Sequence, residues 1–379
     1  MIMKATTIAK WENMLRPLLT KLPPKTVVSQ YSAGRLDFLS KLKDEIPSEI
    51  YTPSQQLERV LWGIRFRSPI MNSAGMFKNG ECYEMVARRQ GAAAYLGGTG
   101  TWNPRRGNEK DGIYLPFVPY PISHSASNWL GLPNDGDEVN AQRAPKLCVN
   151  RVEDCPIGWS VMGSPDYKGE EKLKKLVDGM ILYQDAGVDF LEINESCPNT
   201  QHGKPQDDDL ANRLRYVKEH FLDQRTRKLP VIVKFSNDTE TGQVEPLLDL
   251  LFELGYDGVN FGNTSTNYSR RRESIDEGEH GLYDFFTQDK ERFGVGGGVS
   301  GKPLKEDSLR LAAKAVKYLR KGGPSQEFHV IRTGGIESAD DIKESDHVGV
   351  SLNQWYTGYF ENFAQHGHDV YRQLYQKLI

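Results

Sequence analysis

Apolar residues near the start of the chain recur at steps of three and four, the spacing of one face of an α-helix. The series that predicts this helix is Ile8, Trp11, Met14, Leu15, Leu18, Leu19 and Leu22. Pro23 and Pro24 follow, and proline ends a helix because it has no backbone N–H to donate. A second, shorter helix is predicted from Leu36, Phe38, Leu39 and Leu42. We therefore expect residues 1–60 to form a helical extension.

From about residue 66 the pattern changes to short β-rich runs separated by helical stretches. Strands are predicted at 69–74, 92–97, 157–162, 189–194, 230–235, 257–262, 328–333 and 347–352. Helices are predicted at 169–186, 208–222, 243–254 and 306–320. Such alternation is typical of parallel strands covered by helices. A doubly wound sheet is the alternative, but polar or glycine-rich residues end nearly every strand and favour an α/β fold of the (β/α)8 (TIM) barrel type over residues 61–379.

Two connections between the predicted strands are long, at 98–156 and 263–327. Long loops in a compact domain are usually lids or binding loops. We expect both to cover the mouth of the barrel. Within the second, residues 267–293 contain Arg270, Arg271 and Arg272 followed by an acidic stretch, which suits either a lid or a contact between subunits.

Charge and cysteine content exclude several classes of protein. Lys and Arg number 48 against 51 Asp and Glu, a net charge of -3, so no basic surplus is present to neutralise nucleic-acid phosphates. The four cysteines form no CxxC pair, which argues against a zinc site or a disulfide framework and favours a reducing compartment. The histidines show no metal-binding spacing. The first residues lack the apolar core of a secretory signal, and we expect a cytoplasmic protein.

The near balance of charge conceals a basic N-terminal segment. Residues 1–42 hold seven Lys and Arg against Glu12 and Asp37. A basic amphipathic helix pair can lie on a membrane surface, or it can cap the main domain as most amphipathic helices do. Both interpretations remain open from the sequence.

Glycine-rich segments late in the chain predict close approach of backbone to a ligand. Residues 294–303 contain a GxGxxG pattern, but Pro303 stands where a P-loop needs Ser or Thr, and no strand precedes the segment directly. Better placed are Thr333 to Gly335 and Tyr356 to Gly358, which follow the seventh and eighth predicted strands. Loops at these positions of a barrel often bind phosphate. Ordinary turn glycines are the alternative.

The segment from Asn194 to Thr200 ends the fourth predicted strand and contains Cys197. A cysteine there can act as a base or nucleophile when its pKa is lowered, whereas a lone cysteine is usually inert. Asparagine and lysine residues also follow other strands, at Lys78, Asn128, Lys234 and Asn263. If these residues and the phosphate-binding loops lie at the same end of the barrel, the site suits a nucleotide-like cofactor and a polar ring substrate.

Seven segments taken together resemble the dihydroorotate dehydrogenases. They are NSAGMFKNGE (72–81), NWLGLPN (128–134), NESCPNT (194–200), VIVKFS (231–236), NFGNTST (260–266), GGVSGKPL (297–304) and RTGGIES (332–338). The resemblance runs from about residue 60 to the C-terminus with every motif in order. It implies an FMN-containing (β/α)8 barrel of pyrimidine biosynthesis that oxidises dihydroorotate to orotate.

The resemblance also implies roles for individual residues. Cys197 would be the base that removes a proton from C5 of dihydroorotate while a hydride leaves C6 for the flavin. Substrate contacts would be Lys78, Asn128, Trp129, Leu130, Gly131, Leu132, Asn194, Asn199, Asn263 and Thr264. FMN contacts would be Ala74, Gly75, Lys78, Thr99, Ser160, Asn194, Lys234, Gly262, Gly301, Gly334, Gly335, Tyr356 and Thr357.

The chain combines features of two classes within that family. Cys197, Ser160 and the run CPNTQHGKPQ resemble the soluble class, whereas Lys78 and the basic N-terminal helices resemble the membrane-associated, quinone-reducing class. Quinone is the favoured electron acceptor, with fumarate or an NAD-linked partner as alternatives. The quinone class implies peripheral contact with the inner face of the cytoplasmic membrane. Another FMN-dependent pyrimidine reductase, or a flavin-binding barrel without catalysis, remains an alternative function.

Overall fold

The computed structural model describes residues 3–152, 154–195 and 209–379 of the 379-residue chain. Strands in the described residues are β1 (Arg59–Leu61), β2 (Ile64–Phe66), β3 (Ile70–Asn72), β4 (Tyr95–Gly100), β5 (Glu109–Lys110), β6 (Ile113–Tyr114), β7 (Phe117–Tyr120), β8 (Ser125–Asn128), β9 (Ile157–Val161), β10 (Phe190–Asn194), β11 (Val231–Phe235), β12 (Gly258–Phe261), β13 (Gly298–Gly301), β14 (His329–Thr333) and β15 (Leu352–Trp355). The α-helices are α1 (Ala5–Leu19), α2 (Pro24–Asp44), α3 (Asp137–Val149), α4 (Gly169–Asp185), α5 (Asp209–His220), α6 (Val244–Leu254), α7 (Tyr268–Arg272), α8 (His280–Thr287), α9 (Lys305–Gly322), α10 (Ala339–Val348), α11 (Thr357–His366) and α12 (Val370–Tyr375).

Eight parallel strands form the barrel, in the order β3-β15-β14-β12-β11-β10-β9-β4. Runs such as VIVKF in β11 are buried along their whole length, as expected for parallel strands with both faces covered. Between β3 and β4 the Asn72 side chain adds to the few backbone contacts: its amide donates to the Leu96 carbonyl (2.8 Å) and its oxygen accepts from the Leu96 N–H (3.1 Å). The predicted (β/α)8 barrel is confirmed.

The eighth barrel strand lies later in the chain than the sequence predicts. The expected strand at 347–352 begins inside α10, which runs to Val348 and ends at Gly349 in the left-handed conformation (φ 96°). A capping box of Ser338 and Asp341 starts that helix, and the glycine terminates it. The strand itself is therefore β15. The second strand is also displaced, from 92–97 to Tyr95–Gly100.

A hairpin of β1 and β2 covers the amino-terminal end of the barrel. Trp62 lies in its turn and Phe66 in its second strand, and both pack against one another and the apolar bottom of the barrel. The Trp62 indole N–H donates to the Asp257 carbonyl at 2.9 Å. In the described residues, the barrel is thus filled with side chains at this end, as is typical of the amino-terminal end of such barrels.

The two long connections build a lid over the carboxyl end. Strands β7 and β8 from the first pair antiparallel with β13 from the second. Helices α2 and α8 pack against this sheet around a small separate core of Val27, Val28, Ile113, Val118, Tyr120, Ile275, Leu282, Tyr283, Phe285, Phe286, Phe293 and Val299. The lid and the N-terminal extension therefore fold together.

The arginine cluster in the second connection anchors the lid to the barrel. Arg271 is buried and pairs with Asp307 at 2.6 Å and with Asp238 at 3.4 Å. Its guanidinium also donates to the Pro303 carbonyl at 2.9 Å. Burial of an arginine is favourable only when its donors are satisfied. This cluster accounts for the basic run as an internal lid contact.

The N-terminal helices differ from prediction in length and orientation. Helix α2 spans 21 residues and begins with Pro24 at its first turn, so it is longer than expected. Helix α1 packs on α2 and α11 through Ala5, Ala9 and Arg16. Most of its predicted apolar face is exposed, at Trp11, Met14, Leu15, Leu18 and Leu22. Among the described residues, none of the helices has the length and apolar character needed to span a membrane. The boundary between extension and barrel at residue 60 stays a prediction.

Candidate active site

A pocket opens at the carboxyl ends of the barrel strands, beneath the lid. Most residues proposed for cofactor and substrate lie in its wall, although they come from widely separated parts of the chain. These residues are Ala74, Gly75, Lys78, Thr99, Asn128, Leu130, Leu132, Asn194, Lys234, Gly262, Asn263, Thr264, Gly301, Gly334, Gly335, Tyr356 and Thr357.

Three predicted residues are absent from the described wall. Ser160 is buried behind Thr99, and their hydroxyl oxygens are 3.0 Å apart. Trp129 packs against the lid core, and Gly131 lies against Asn108. Among the described residues, Ser160 meets the pocket wall through the Thr99 hydroxyl. Cys197 and Asn199 lie outside the described residues.

A chain of side-chain hydrogen bonds crosses one wall of the pocket. The Asn263 amide donates to the Asn194 oxygen at 3.1 Å, and the Asn194 amide donates to the Thr99 hydroxyl at 3.3 Å. From the lid, the Asn128 amide donates to the Gly298 carbonyl at 3.4 Å. Because these contacts orient the amides, the wall offers donor and acceptor groups suited to a polar ring.

The floor of the pocket is polar and buried. The Lys234 ammonium lies 3.0 Å from the Gln354 side-chain oxygen and 3.4 Å from a Glu192 carboxylate oxygen. Lys234 is only 3% exposed, yet it lines the pocket. A buried cation at this position can stabilise negative charge on a ligand above it.

The far end of the pocket is a backbone cradle. Gly301, Gly334 and Gly335 have φ values of 93°, 124° and 69°, which glycine adopts readily and other residues rarely do. A Cβ added at Gly335 would lie 2.5 Å from the Lys305 backbone, and one at Gly301 would lie 2.3 Å from the His124 carbonyl oxygen. Helix α11 begins at Thr357 beside this cradle, and helix N-termini favour anions. The end therefore fits a phosphate.

Two side chains near the cradle add charge that a phosphate would meet. Lys302 and Glu337 both line the pocket. Burial raises the pKa of Glu337, and the imidazole of His124, 3.4 Å away, partly opposes that rise. Because a raised pKa reduces the ionised fraction of Glu337, it also reduces repulsion of an anion at this end.

A second cavity of about 270 Å³ lies between α1, α2 and the lid. Its wall is largely apolar, and it shares Tyr356 and Thr357 with the first pocket. Its lining is Ile8, Ala9, Glu12, Arg16, Leu19, Gln30, Tyr31, Gly34, Arg35, Phe38, Leu39, Phe117, Pro119, Ser125, Ala126, Tyr356, Thr357, Phe360, Glu361 and Ala364. The two pockets are therefore neighbours, separated by the start of α11.

One polar cluster interrupts the apolar wall of this cavity. Arg16 pairs with Glu12 at 2.6 Å and with Glu361 at 2.5 Å. The Tyr31 hydroxyl donates to Glu12 at 2.9 Å, and burial together with this carboxylate raises the pKa of Tyr31. Arg35 donates to the Tyr356 hydroxyl at 2.9 Å. These groups give an otherwise apolar chamber fixed hydrogen-bonding partners.

Comparison with known proteins agrees with this architecture. The family model for dihydroorotate dehydrogenase matches residues 56–378. The chain belongs to the dihydroorotate dehydrogenase family. Members of that family are flavin-dependent oxidoreductases of pyrimidine biosynthesis, and this chain is an enzyme of that type.

Curated relatives match this chain over most of its length. The protein from Methylococcus capsulatus is 26% identical over 92% of this chain and 94% of its own, and that from Polynucleobacter necessarius is 28% identical over 91% and 93%. Both are named dihydroorotate dehydrogenase (quinone). A crystal structure of the Eimeria tenella enzyme in complex with ferulenol shares the fold, with a TM-score of 0.74, 22% identity, and coverage of 92% and 90%.

Several residues of the pocket wall were not among those expected from the sequence to contact cofactor or substrate. Gln354 lies in β15, whereas the sequence predicts the eighth strand at 347–352. Gln354 therefore fell outside the predicted strand and was not considered. Ser300, Lys302 and Glu337 lie inside the motifs quoted above, but no sequence pattern indicated that these three side chains would line the pocket. The remaining additions are Ser73, Asn237, Leu304, Ile336 and Trp355, whereas Thr333 and Gly358 belong to the two segments expected from the sequence to bind phosphate.

Proposed function

We propose that this chain oxidises dihydroorotate to orotate with bound FMN and passes the electrons to a quinone. One observation carries the proposal: a single pocket combines Lys78, the amides of Asn128, Asn194 and Asn263, and a glycine backbone cradle beside the start of α11. A lysine suits a carboxylate, paired amides suit a pyrimidine ring, and the cradle suits the phosphate of FMN. The family match supports the same reaction.

The residues divide the work between cofactor and substrate. Gly301, Gly334, Gly335 and Thr357 would hold the phosphate, and Lys234 would contact the ring system from the pocket wall. When bound, FMN supplies the acceptor for the hydride that leaves C6 of dihydroorotate. With FMN bound, the positive charge of Lys234 would favour reduction by stabilising negative charge on the ring.

The substrate is held and deprotonated by other groups. Lys78 binds the carboxylate, and the asparagines orient the ring by hydrogen bonds to its amide and imide edges. Cys197 is the proposed base that takes the proton from C5. The hydrogen-bonded chain Asn263–Asn194–Thr99 fixes the amide orientations before substrate binds.

The second cavity is the proposed quinone site. Its apolar wall suits a quinone ring with a hydrocarbon tail, and it borders the first pocket at Tyr356 and Thr357. The names of the curated relatives specify a quinone, and this agreement favours quinone over fumarate or an NAD-linked partner.

Peripheral membrane contact would place the chain where quinone is found. The exposed apolar residues Trp11, Met14, Leu15 and Leu18 project from α1 beside the second cavity. Nearby lysines such as Lys10 and Lys21 would favour the anionic headgroups of the inner face of the cytoplasmic membrane.

Anaerobic reduction tests the reaction directly. The purified protein should carry a yellow flavin that chromatography identifies as FMN, and dihydroorotate without oxygen should bleach it. Adding a short-chain quinone should then restore the colour. A flavin that dihydroorotate leaves oxidised contradicts the proposal, and bleaching by dihydrouracil instead would indicate a different pyrimidine dehydrogenase.

A further inference from the structure

Glu192 is a fully buried carboxylate in the floor of the barrel, one layer behind the wall of the active-site pocket. One of its oxygens accepts hydrogen bonds from the Asn260 amide at 2.8 Å and the Gln354 amide at 2.7 Å. The other lies 3.4 Å from the Lys234 ammonium. The next layer toward the hairpin is apolar, with Met71, Leu96, Ile232, Ile331 and Leu352. A carboxylate placed here is costly unless it is paired and hydrogen-bonded.

The contacts of Glu192 fix the orientation of pocket-lining groups. Since the Gln354 amide nitrogen binds Glu192, its oxygen points to Lys234 (3.0 Å) and to the Thr333 hydroxyl (3.1 Å). Asn260 likewise turns its oxygen to Thr333, at 3.0 Å. Lys234, Thr333 and Gln354 all line the pocket, whereas Glu192 does not. Within the described part of the chain, Glu192 is thus linked to the pocket through these neighbours.

We propose that Glu192 is a positioning residue that offsets the charge of Lys234 and thereby lowers the reduction potential of the bound flavin. This rests on the FMN site of the proposed function. Lys234 alone would favour the negatively charged reduced ring. A carboxylate 3.4 Å behind the ammonium weakens that field, because opposite charges in a low-dielectric interior interact strongly and at short range. The pair sets how readily the ring gives up its electrons to the next acceptor.

The test is the equilibrium of the FMN-loaded protein with a reference redox dye. Glu192→Gln keeps the shape and removes the charge, so the ratio of reduced to oxidised flavin should rise at least about tenfold, which is about 30 mV for a two-electron couple. Glu192→Asp keeps the charge and should stay within about threefold of the unaltered protein. An unchanged potential in Glu192→Gln overturns the proposal.

A double-variant cycle shows whether Lys234 transmits the effect. In a Lys234→Met background the further change Glu192→Gln should alter the ratio by less than about threefold, because coupled residues are not additive. The same tenfold shift in that background would overturn the role of Lys234. If Glu192→Gln does not fold alone, Glu192→Met removes the charge with a side chain of similar length while Lys234 is kept; the same rise of about tenfold is expected there, and an unchanged ratio overturns the proposal. If the unaltered protein itself cannot be loaded with FMN, that result contradicts the proposed function and not the role of Glu192.

Discussion

Asp137 is a buried carboxyl group at the start of α3, outside the active-site pocket. The carboxyl group lies between Gly100 and Gly179. A Cβ at Gly100 would lie 2.3 Å from one Asp137 oxygen, and a Cβ at Gly179 would lie 2.6 Å from the other. Burial raises the pKa of Asp137 to about 7, although the Tyr183 hydroxyl, 2.9 Å away, lowers it in part. The folded protein thus holds a proton here over a pH range in which the unfolded chain has lost it.

This protonation predicts a pH dependence of stability. Between pH 4 and pH 7 the free energy of unfolding should fall as pH rises, because the unfolded carboxyl ionises first, with a loss on the order of a few kcal/mol. Asp137→Asn should remove most of that slope in urea unfolding at several pH values. Asp185→Asn, at an exposed position, is the control and should retain it. An equal slope in Asp137→Asn would contradict the assignment.

The thiols allow a sharp test of the proposed base. Burial raises the pKa of Cys82 to about 12 and also raises that of Cys155, so neither forms a thiolate readily. Cys197→Ala should slow anaerobic flavin reduction by dihydroorotate more than about a hundredfold, the scale of a lost general base. Cys82→Ala should change that rate little. Near-normal reduction in Cys197→Ala would assign the base to another group.

For individual residues, the sequence predicted polar side chains at the ends of strands and missed polar side chains inside the strands. Lys78, Asn194 and Asn263 carry a signal because polar groups at strand ends are conspicuous. Glu192 and Asn260 lie within apolar runs whose inward direction depends on the barrel register. Only the closed barrel brings them into one network.

The elements themselves were predictable wherever one local signal dominated. Strand β11 could be predicted from its local sequence, because four of the five residues in VIVKF are apolar and the whole run is buried. The boundary between α10 and β15 was misplaced since HVGV in 347–350 suits either structure, and a distant capping box extends the helix. For α1 the pattern gave the helix but not its orientation. Small residues at Ala5 and Ala9 dock it, and the apolar side faces outward.

That outward face of α1 predicts binding to vesicles. Replacing Trp11 and Leu18 by Ser removes apolar area that would enter the headgroup region, so affinity for anionic lipid vesicles should fall at least about tenfold in sedimentation assays. Flavin reduction by dihydroorotate should be unaffected. Val60 and Ile122 are equally exposed apolar residues elsewhere on the surface, and their replacement by Ser is the control. Equal loss in both variants, or none in either, would leave α1 as a cap.

In the whole molecule, two neighbouring cavities divide the proposed reaction. The first depends on motifs at strand ends, which is why its residues could be predicted. The second exists only because α1 and α2 pack against α11 and β7, and no local pattern encodes that arrangement. The start of α11 contributes Tyr356 and Thr357 to both. In the proposed reaction, electrons can therefore pass from the flavin pocket to the quinone cavity while dihydroorotate stays in the flavin pocket.

Filling the second cavity should stop only the second half of the reaction. Gly34 lies in α2 on the cavity wall, and a Cβ there would meet nothing within 4 Å. Gly34→Phe should fold, since glycine inside a helix is unfavourable by about 1 kcal/mol relative to alanine. The new ring would occupy space that a quinone needs, so kcat/KM for quinone should fall at least about tenfold, or about 1.4 kcal/mol.

Two measurements separate this steric effect from general damage. Stopped-flow reduction of the flavin by dihydroorotate should remain within about twofold of the unaltered protein, because that step uses only the first pocket. Gly281→Phe is the matched control, since Gly281 also lies in a helix with open space around its Cβ position. That variant should reduce quinone normally. If Gly34→Phe reduces quinone as fast as Gly281→Phe does, the acceptor must reach the flavin by a route other than the cavity between α1 and α2.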